Sequence, residues 1–285
     1  MQIVFLVLMF IVGSCVGSFL CCQARRMRLR DAEDKTRVSR KKSKKTRTKK
    51  AQTTKASLGT RSVCMSCRKQ LKWYDNIPIV SWIILRGKCR QCGKKIGMLE
   101  ILSEIGVGAA TVMVSVGTDV STAGAMEWAT YGVLLMLTFI LSFLAIYDGA
   151  YGELPSLCLT LAIICAIILL TLRDWVGDFD GWSLGMFLEP LGAVTILGGV
   201  YLVLYLVSRG RWVGDGDWLL GTALGLALGQ PWLALVALFL ANFLACIIMF
   251  PVVKKRQNTK IHFGPFMVIA WVVVECFSGI LMQVI

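Results

Sequence analysis

Eight windows of mostly apolar residues, near 2–22, 101–117, 128–147, 154–172, 187–207, 217–229, 231–251 and 264–284, make up more than half of this 285-residue chain. A helix that crosses lipid needs about 20 such residues, because the hydrocarbon layer offers its backbone no hydrogen-bond partner. The windows therefore imply an all-α polytopic membrane protein with about eight transmembrane helices. The window at 217–229 is the weakest: it is short and Gly-rich, and Pro231 separates it from the next. Only 17% of the residues are charged, against about 25% in a soluble domain. The first window has no basic leader and runs straight into Arg25 and Arg26, which reads as a retained span rather than a cleaved signal.

Charge gives the orientation. Of 31 Lys and Arg, 24 lie between Gln23 and Met98 with only four acids among them, so that stretch carries +20 and the rest of the chain −6. Lys and Arg accumulate on the cytoplasmic side of membrane proteins, which places this loop in the cytoplasm and the N-terminus outside. By alternation the loops near 118–127 and 173–186 fall outside, with Asp119, Glu127, Asp174, Asp178 and Asp180 against one Arg173. The loops near 208–216 and 252–263 fall inside, with Arg209, Arg211, Lys254, Lys255, Arg256 and Lys260. The expected organisation is a first transmembrane helix at 1–22, a basic cytoplasmic loop at 23–98 and a seven-helix membrane domain at 99–285. Within the loop, residues 30–61 hold almost nothing apolar and are expected to be disordered. Their charge suits a solvated tail or anionic lipid head groups. Nucleic acid is not expected as a partner, because no aromatics are interleaved with the basic residues.

Cys64, Cys67, Cys89 and Cys92 form two C-x2-C pairs 21 residues apart. Four thiolates so spaced suit a tetrahedral structural zinc site, and a small module over 62–98 would need such a staple. The alternative is four free thiols or a redox pair. The other cysteines (Cys15, Cys21, Cys22, Cys158, Cys165, Cys246 and Cys276) lie in or beside apolar windows and read as packing residues.

The single histidine, His262, excludes a His-Glu-x-x-His metal site and reads as a polar residue in a short loop. Carboxylates are the stronger candidates. Asp148 closes the third window and Asp217 opens the sixth, in Gly214-Asp215-Gly216-Asp217. Two crossings separate them, so both sit at the cytoplasmic edge. Paired carboxylates can share a proton, one taking a proton from water while the other polarises a peptide carbonyl. They could equally be interfacial carboxylates at loop ends. A calcium loop at Asp215 and Asp217 lacks further oxygen ligands, because Trp218-Leu219-Leu220 follows. Glu104 and Glu275, inside windows, read as hydrogen-bonded structural groups.

Five strings carry a further reading: Gly17-Ser18-Phe19-Leu20; Trp73-Tyr74-Asp75-Asn76-Ile77-Pro78 with Ser81-Trp82 and Leu85-Arg86-Gly87-Lys88-Cys89-Arg90; Asp148 followed after five residues by Leu154-Pro155; Gly214-Asp215-Gly216-Asp217; and Phe263-Gly264-Pro265-Phe266. In this order the chain resembles the bacterial prepilin peptidases, membrane aspartic proteases of the GxGD type. The resemblance implies an inner-membrane endopeptidase that removes a short basic leader from prepilin or pseudopilin precursors, of a pilus or a type II secretion system, at the cytoplasmic face. Asp148 and Asp217 fall on the family's catalytic aspartates, and the tetracysteine loop on its zinc module. Many members also methylate the new N-terminus from S-adenosylmethionine.

The chain departs from the family pattern in several places. Leu219 stands where the family commonly has Lys, Ser156 where it often has Asp and Cys21 where it often has Asn. The Arg-Tyr-Pro run after the fourth cysteine is missing, although Glu104 matches the family's glutamate. These departures bear on methylation and substrate choice, and none touches the two aspartates. Rival readings are an N-terminal methyltransferase with protease activity weak or lost, and a membrane scaffold or transporter. A presenilin-like enzyme shares the GxGD string but not the cysteine module.

Overall fold

The computed structural model describes residues 1–42, 64, 66–67, 69–116, 123–176, 184–211, 213–255 and 262–283. Residues 43–61 of the segment expected to be disordered, and the loop acids Asp119, Asp178 and Asp180, lie outside these. Among the described residues the structure is helical, with one isolated bridge between Lys88 and Lys95. The helices are α1 (Gln2–Lys42), α2 (Val80–Ile84), α3 (Met98–Ser115), α4 (Ala125–Tyr151), α5 (Ser156–Val176), α6 (Gly185–Val194), α7 (Val200–Ser208), α8 (Asp217–Leu228), α9 (Pro231–Lys255) and α10 (Gly264–Leu281). A π-helical turn, Thr195–Gly199, joins α6 to α7, so the two make one apolar crossing over Gly185–Ser208.

Seven helices are long and apolar enough to cross a membrane. The sixth expected crossing, at 217–229, is not a full one. α8 has 12 residues and rises about 18 Å, where the hydrocarbon layer is about 30 Å thick. It is enclosed by other helices: Leu220, Ala223, Leu224 and Ala227 are almost fully buried. Gly221 and Gly225, four residues apart, let its backbone approach the α6–α7 helix. A Cβ at Gly221 would stand 2.6 Å from the Leu197 carbonyl oxygen, and one at Gly225 2.8 Å from that of Ala193. This is the small-residue packing of helices in lipid. A helix walled in by protein need not match the thickness of the bilayer.

α1 departs from expectation in the other direction. Its apolar span runs over Gln2–Arg30 and its helix continues to Lys42, past the expected boundary at 22 and into the segment expected to be disordered. No Gly or Pro interrupts 19–42, and Lys, Arg, Glu and Ala are good helix formers.

The contacts sort the helix ends into two groups. At one end, Arg25 of α1 pairs with Glu100 of α3. Arg28 lies 2.6 Å from Glu153, just after α4, and over the Tyr151 ring. The basic loop, the end of α4 and the starts of α3 and α5 therefore meet there. At the opposite end, Arg173 of α5 pairs with Glu275 of α10 and donates to the Ala227 carbonyl at 2.8 Å. Between the two ends lies a core containing Leu137, Leu141, Leu144, Leu169, Leu220 and Trp271.

Candidate active site

Two aspartates are built into the end where the basic loop lies. Asp148 sits one turn before the end of α4, which Gly152 closes in the left-handed conformation (φ +68°), its N–H donating to the Asp148 carbonyl at 2.7 Å. The Asp148 carboxylate reaches across to α10, where its Oδ2 accepts the Gly264 N–H at 2.9 Å. Gly264 begins that helix, so the anion faces the positive end of the helix dipole. A Cβ at position 264 would stand 2.8 Å from Asp148 Oδ2, and only glycine leaves the carboxylate room to reach the backbone.

Asp217 is the first residue of α8, and its Oδ2 accepts the Gly214 N–H at 2.9 Å. The two glycines of the Gly214-Asp215-Gly216-Asp217 string have different tasks. Gly214 supplies the donor. Gly216 lets Leu154 pack against the turn, because a Cβ there would stand 2.8 Å from the Leu154 side chain.

Both aspartates are buried, at 6% and 8% exposure. They come from helix ends 69 positions apart in the chain and lie at the same end of the bundle. Two buried carboxylates so placed can share a proton and hold a water molecule for attack on a carbonyl. Asp215, in the same string, is exposed.

Two neighbours were not legible in the sequence. The His262 ring lies with Nδ1 4.0 Å from Asp148 Oδ1. Gly152 leaves the ring its space, since a Cβ there would stand 2.5 Å from His262 Cε1. Read alone, His262 is a polar residue in a loop; its place one position before Phe263-Gly264 was the available signal. Tyr201 of α7 is fully buried and packs against Phe263, with ring centroids 5.4 Å apart and the planes tilted by 57°. Glu104 and Glu275 do form structural contacts: Glu104 accepts the Ile79 N–H at 2.7 Å, and Glu275 pairs with Arg173.

The tetracysteine module lies beside this end. The sulfurs of Cys64, Cys67, Cys89 and Cys92 all fall within 4.8 Å of one another, and those of Cys64 and Cys92 are 3.9 Å apart. A tetrahedral tetrathiolate zinc site has sulfurs about 3.8 Å apart, from zinc–sulfur bonds of about 2.3 Å. The two pairs fold alike. The Cys64 N–H donates to the Lys69 carbonyl and the Cys89 N–H to the Lys94 carbonyl, each at 2.9 Å. The Cys67 N–H, aided by that of Ser66, pulls the Cys64 thiol down to about 6 although burial opposes it. The Lys94 N–H favours the Cys92 thiolate, yet desolvation and the sulfurs of Cys89, Cys64 and Cys67 push that thiol up to about 11. Sulfurs that compete for protons in this way suit a divalent cation that would displace them.

A family model described as Bacterial Peptidase A24 N-terminal domain matches residues 11–118. The prepilin leader peptidase/N-methyltransferase of Aeromonas hydrophila is 32% identical over 218 residues, covering 74% of this chain and 70% of its own length. That of Vibrio cholerae is 30% identical over 218 residues, covering 75% and 80%. The chain belongs to the prepilin leader peptidase family. No solved structure matches it. The matched N-terminal domain of the prepilin leader peptidases runs from α1 through the cysteine module and α3. It ends before either aspartate, so the site geometry is independent of that match.

Proposed function

We propose that this protein is a membrane aspartic endopeptidase that removes the short basic leader from type IV prepilin-like precursors. One carboxylate of the Asp148–Asp217 pair, ionised, takes a proton from the bound water. The oxygen of that water attacks the scissile carbonyl, and the other carboxylate, protonated, donates to the carbonyl oxygen. Collapse of the tetrahedral adduct breaks the C–N bond, the leaving nitrogen takes up the proton first removed from water, and a hydroxyl proton of the adduct returns to the second carboxylate as the new carboxyl group forms. The backbone N–H groups of Gly264 and Gly214 keep both carboxylates oriented throughout. The observation that carries this reading is the burial of two carboxylates from distant helix ends, each held by a backbone N–H at the same end of the bundle. The names of the relatives supply the prepilin substrate class.

The excess of Lys and Arg beside the site supports a cytoplasmic location for it, in the bacterial inner membrane. A precursor's basic leader would meet Asp148, Asp217 and the exposed Asp215 there, while its apolar helix remains in lipid. The four cysteines would hold a structural zinc ion. N-methylation of the new N-terminus, named in those relatives, is part of the proposal. S-adenosylmethionine would supply the methyl group, and no residue is assigned to it.

The test is cleavage of a prepilin by the purified full chain in nanodiscs, with both products identified by mass spectrometry. Asp148→Asn and Asp217→Asn should each abolish leader removal while insertion and zinc content stay at parent levels. Retained cleavage in either variant overturns the assignment. Following methyl incorporation in the same preparations separates the two activities.

A further inference from the structure

The segment between the two cysteine pairs carries a feature that neither hydrolysis nor metal binding uses. α2 is five residues long, and at 100° per residue Val80, Ile83 and Ile84 fall within one 100° arc, with Trp82 on the opposite side. Trp82 turns inward, because a Cβ at Gly87 would stand 2.9 Å from its ring. The opposite arc is bare: Val80 is 49% exposed, Ile83 60% and Ile84 68%. Exposed Arg86, Lys88, Arg90, Lys94 and Lys95 follow within eleven residues of Ile84.

The depth of this bare face is set by one contact. Ile79 adopts φ +61° and ψ −52°, and the Val80 N–H donates back to the Pro78 carbonyl, a γ-turn that is strained for a β-branched residue. The turn aims the Ile79 N–H at the buried carboxylate of Glu104, 2.7 Å away. Glu104 is the seventh residue of the membrane-spanning α3, about 9 Å along the helix axis from its start. Helical side chains lean back towards the N-terminus, but not by that distance, so Ile79, where α2 starts, lies below the start of α3 and level with apolar span. Beyond α2 the chain returns to that start, since the Gly87 carbonyl accepts the Ile96 N–H two residues before Met98.

We infer that α2 lies in the membrane interface, with Val80, Ile83 and Ile84 among the acyl chains and the following cations at anionic head groups. An apolar face with a basic margin is the pattern of helices that lie in the plane of an interface. Residues 43–63 hold only two large aliphatic side chains, Leu58 and Val63. The cysteine module is thus a membrane-lying wedge beside the two aspartates, tethered by Glu104, and not a water-borne domain on a linker. This inference rests on the membrane fold and not on the proposed peptidase activity.

The test places an environment-sensitive fluorescent amino acid at position 84, at 83 as a second site on the same face, or at Gln91 in the second cysteine pair. The full chain is held in nanodiscs containing about 30% phosphatidylglycerol, with zinc content checked for each variant. Acyl-brominated lipid should quench positions 83 and 84 at least several-fold more than 91, and aqueous iodide should do the reverse. Glu104→Ala, which removes the acceptor of the Ile79 N–H, should reduce the lipid quenching at 84. Equal quenching of 84 and 91 by both agents overturns the inference. Shielding of 84 from iodide that appears only on adding a prepilin peptide overturns it too, and would point to a protein partner. None of these readouts depends on cleavage.

Discussion

Gly264 and Gly214 do for the two aspartates what a fixed donor does in any preorganised site: each gives a backbone N–H to one carboxylate, at 2.9 Å in both cases. The consequence at the residue scale is that Gly264 should be nearly as sensitive as Asp148. Gly264→Ala puts a methyl group 2.8 Å from Asp148 Oδ2, so the carboxylate must turn away. A displacement of about 1 Å can cost about a hundredfold in rate. We expect kcat for leader removal to fall by about that factor, with KM and insertion little changed, as read by steady-state cleavage in nanodiscs. Asp215→Asn should leave kcat close to the parent value, because that side chain is exposed. That Asp148 and Asp217 share one end of the bundle was legible from their places at helix ends of matching parity. His262 was not. Its role depends on α4 and α10 meeting, a long-range contact that spacing along the chain cannot report.

At the scale of elements, the cysteine module and α8 teach opposite lessons. The module was readable because metal-ligand spacing is local: each C-x2-C pair folds on itself through an N–H to carbonyl bond five residues on, at Cys64–Lys69 and Cys89–Lys94. The length of α8 was not readable, because an apolar window does not say whether lipid or protein will surround it. Nor was the γ-turn at Ile79, which exists only because a carboxylate on another helix receives its N–H. Replacing Cys64 and Cys67 with Ser should drop bound metal to below a tenth of the parent level by mass spectrometry and expose 69–97 to limited proteolysis. Near-stoichiometric metal in that variant would rule out the site. Glu104→Ala leaves the Ile79 N–H unpaired in a partly buried place, at a cost of about 1–3 kcal/mol. It should therefore loosen the module without releasing metal, a separation that proteolysis and metal analysis together can resolve.

For the molecule as a whole, the two ends of the bundle carry different burdens. The site end gathers α4, α8 and α10 around two carboxylates. The far end ties α5, α8 and α10 together through Arg173, which holds Glu275 and the Ala227 carbonyl at once. From that anchor α8 runs to the other end, where the residue before it, Gly216, packs against Leu154 just ahead of α5, and Asp217 there is only 8% exposed. A precursor cut by the proposed pair would have to bring its scissile bond to that buried carboxylate. Removing the anchor's charge should cost stability first. In Glu275→Gln the buried partner of Arg173 is lost, and a penalty of about 1–3 kcal/mol corresponds to a fall in Tm of about 2–12 °C at roughly 2–4 °C per kcal/mol. The expected outcome is that drop in a detergent melt with kcat unchanged below the transition, the mirror image of Gly264→Ala. A loss of kcat without a change in Tm would mean that the far end reaches the chemistry directly, and that α8 is a lever rather than a fixed post.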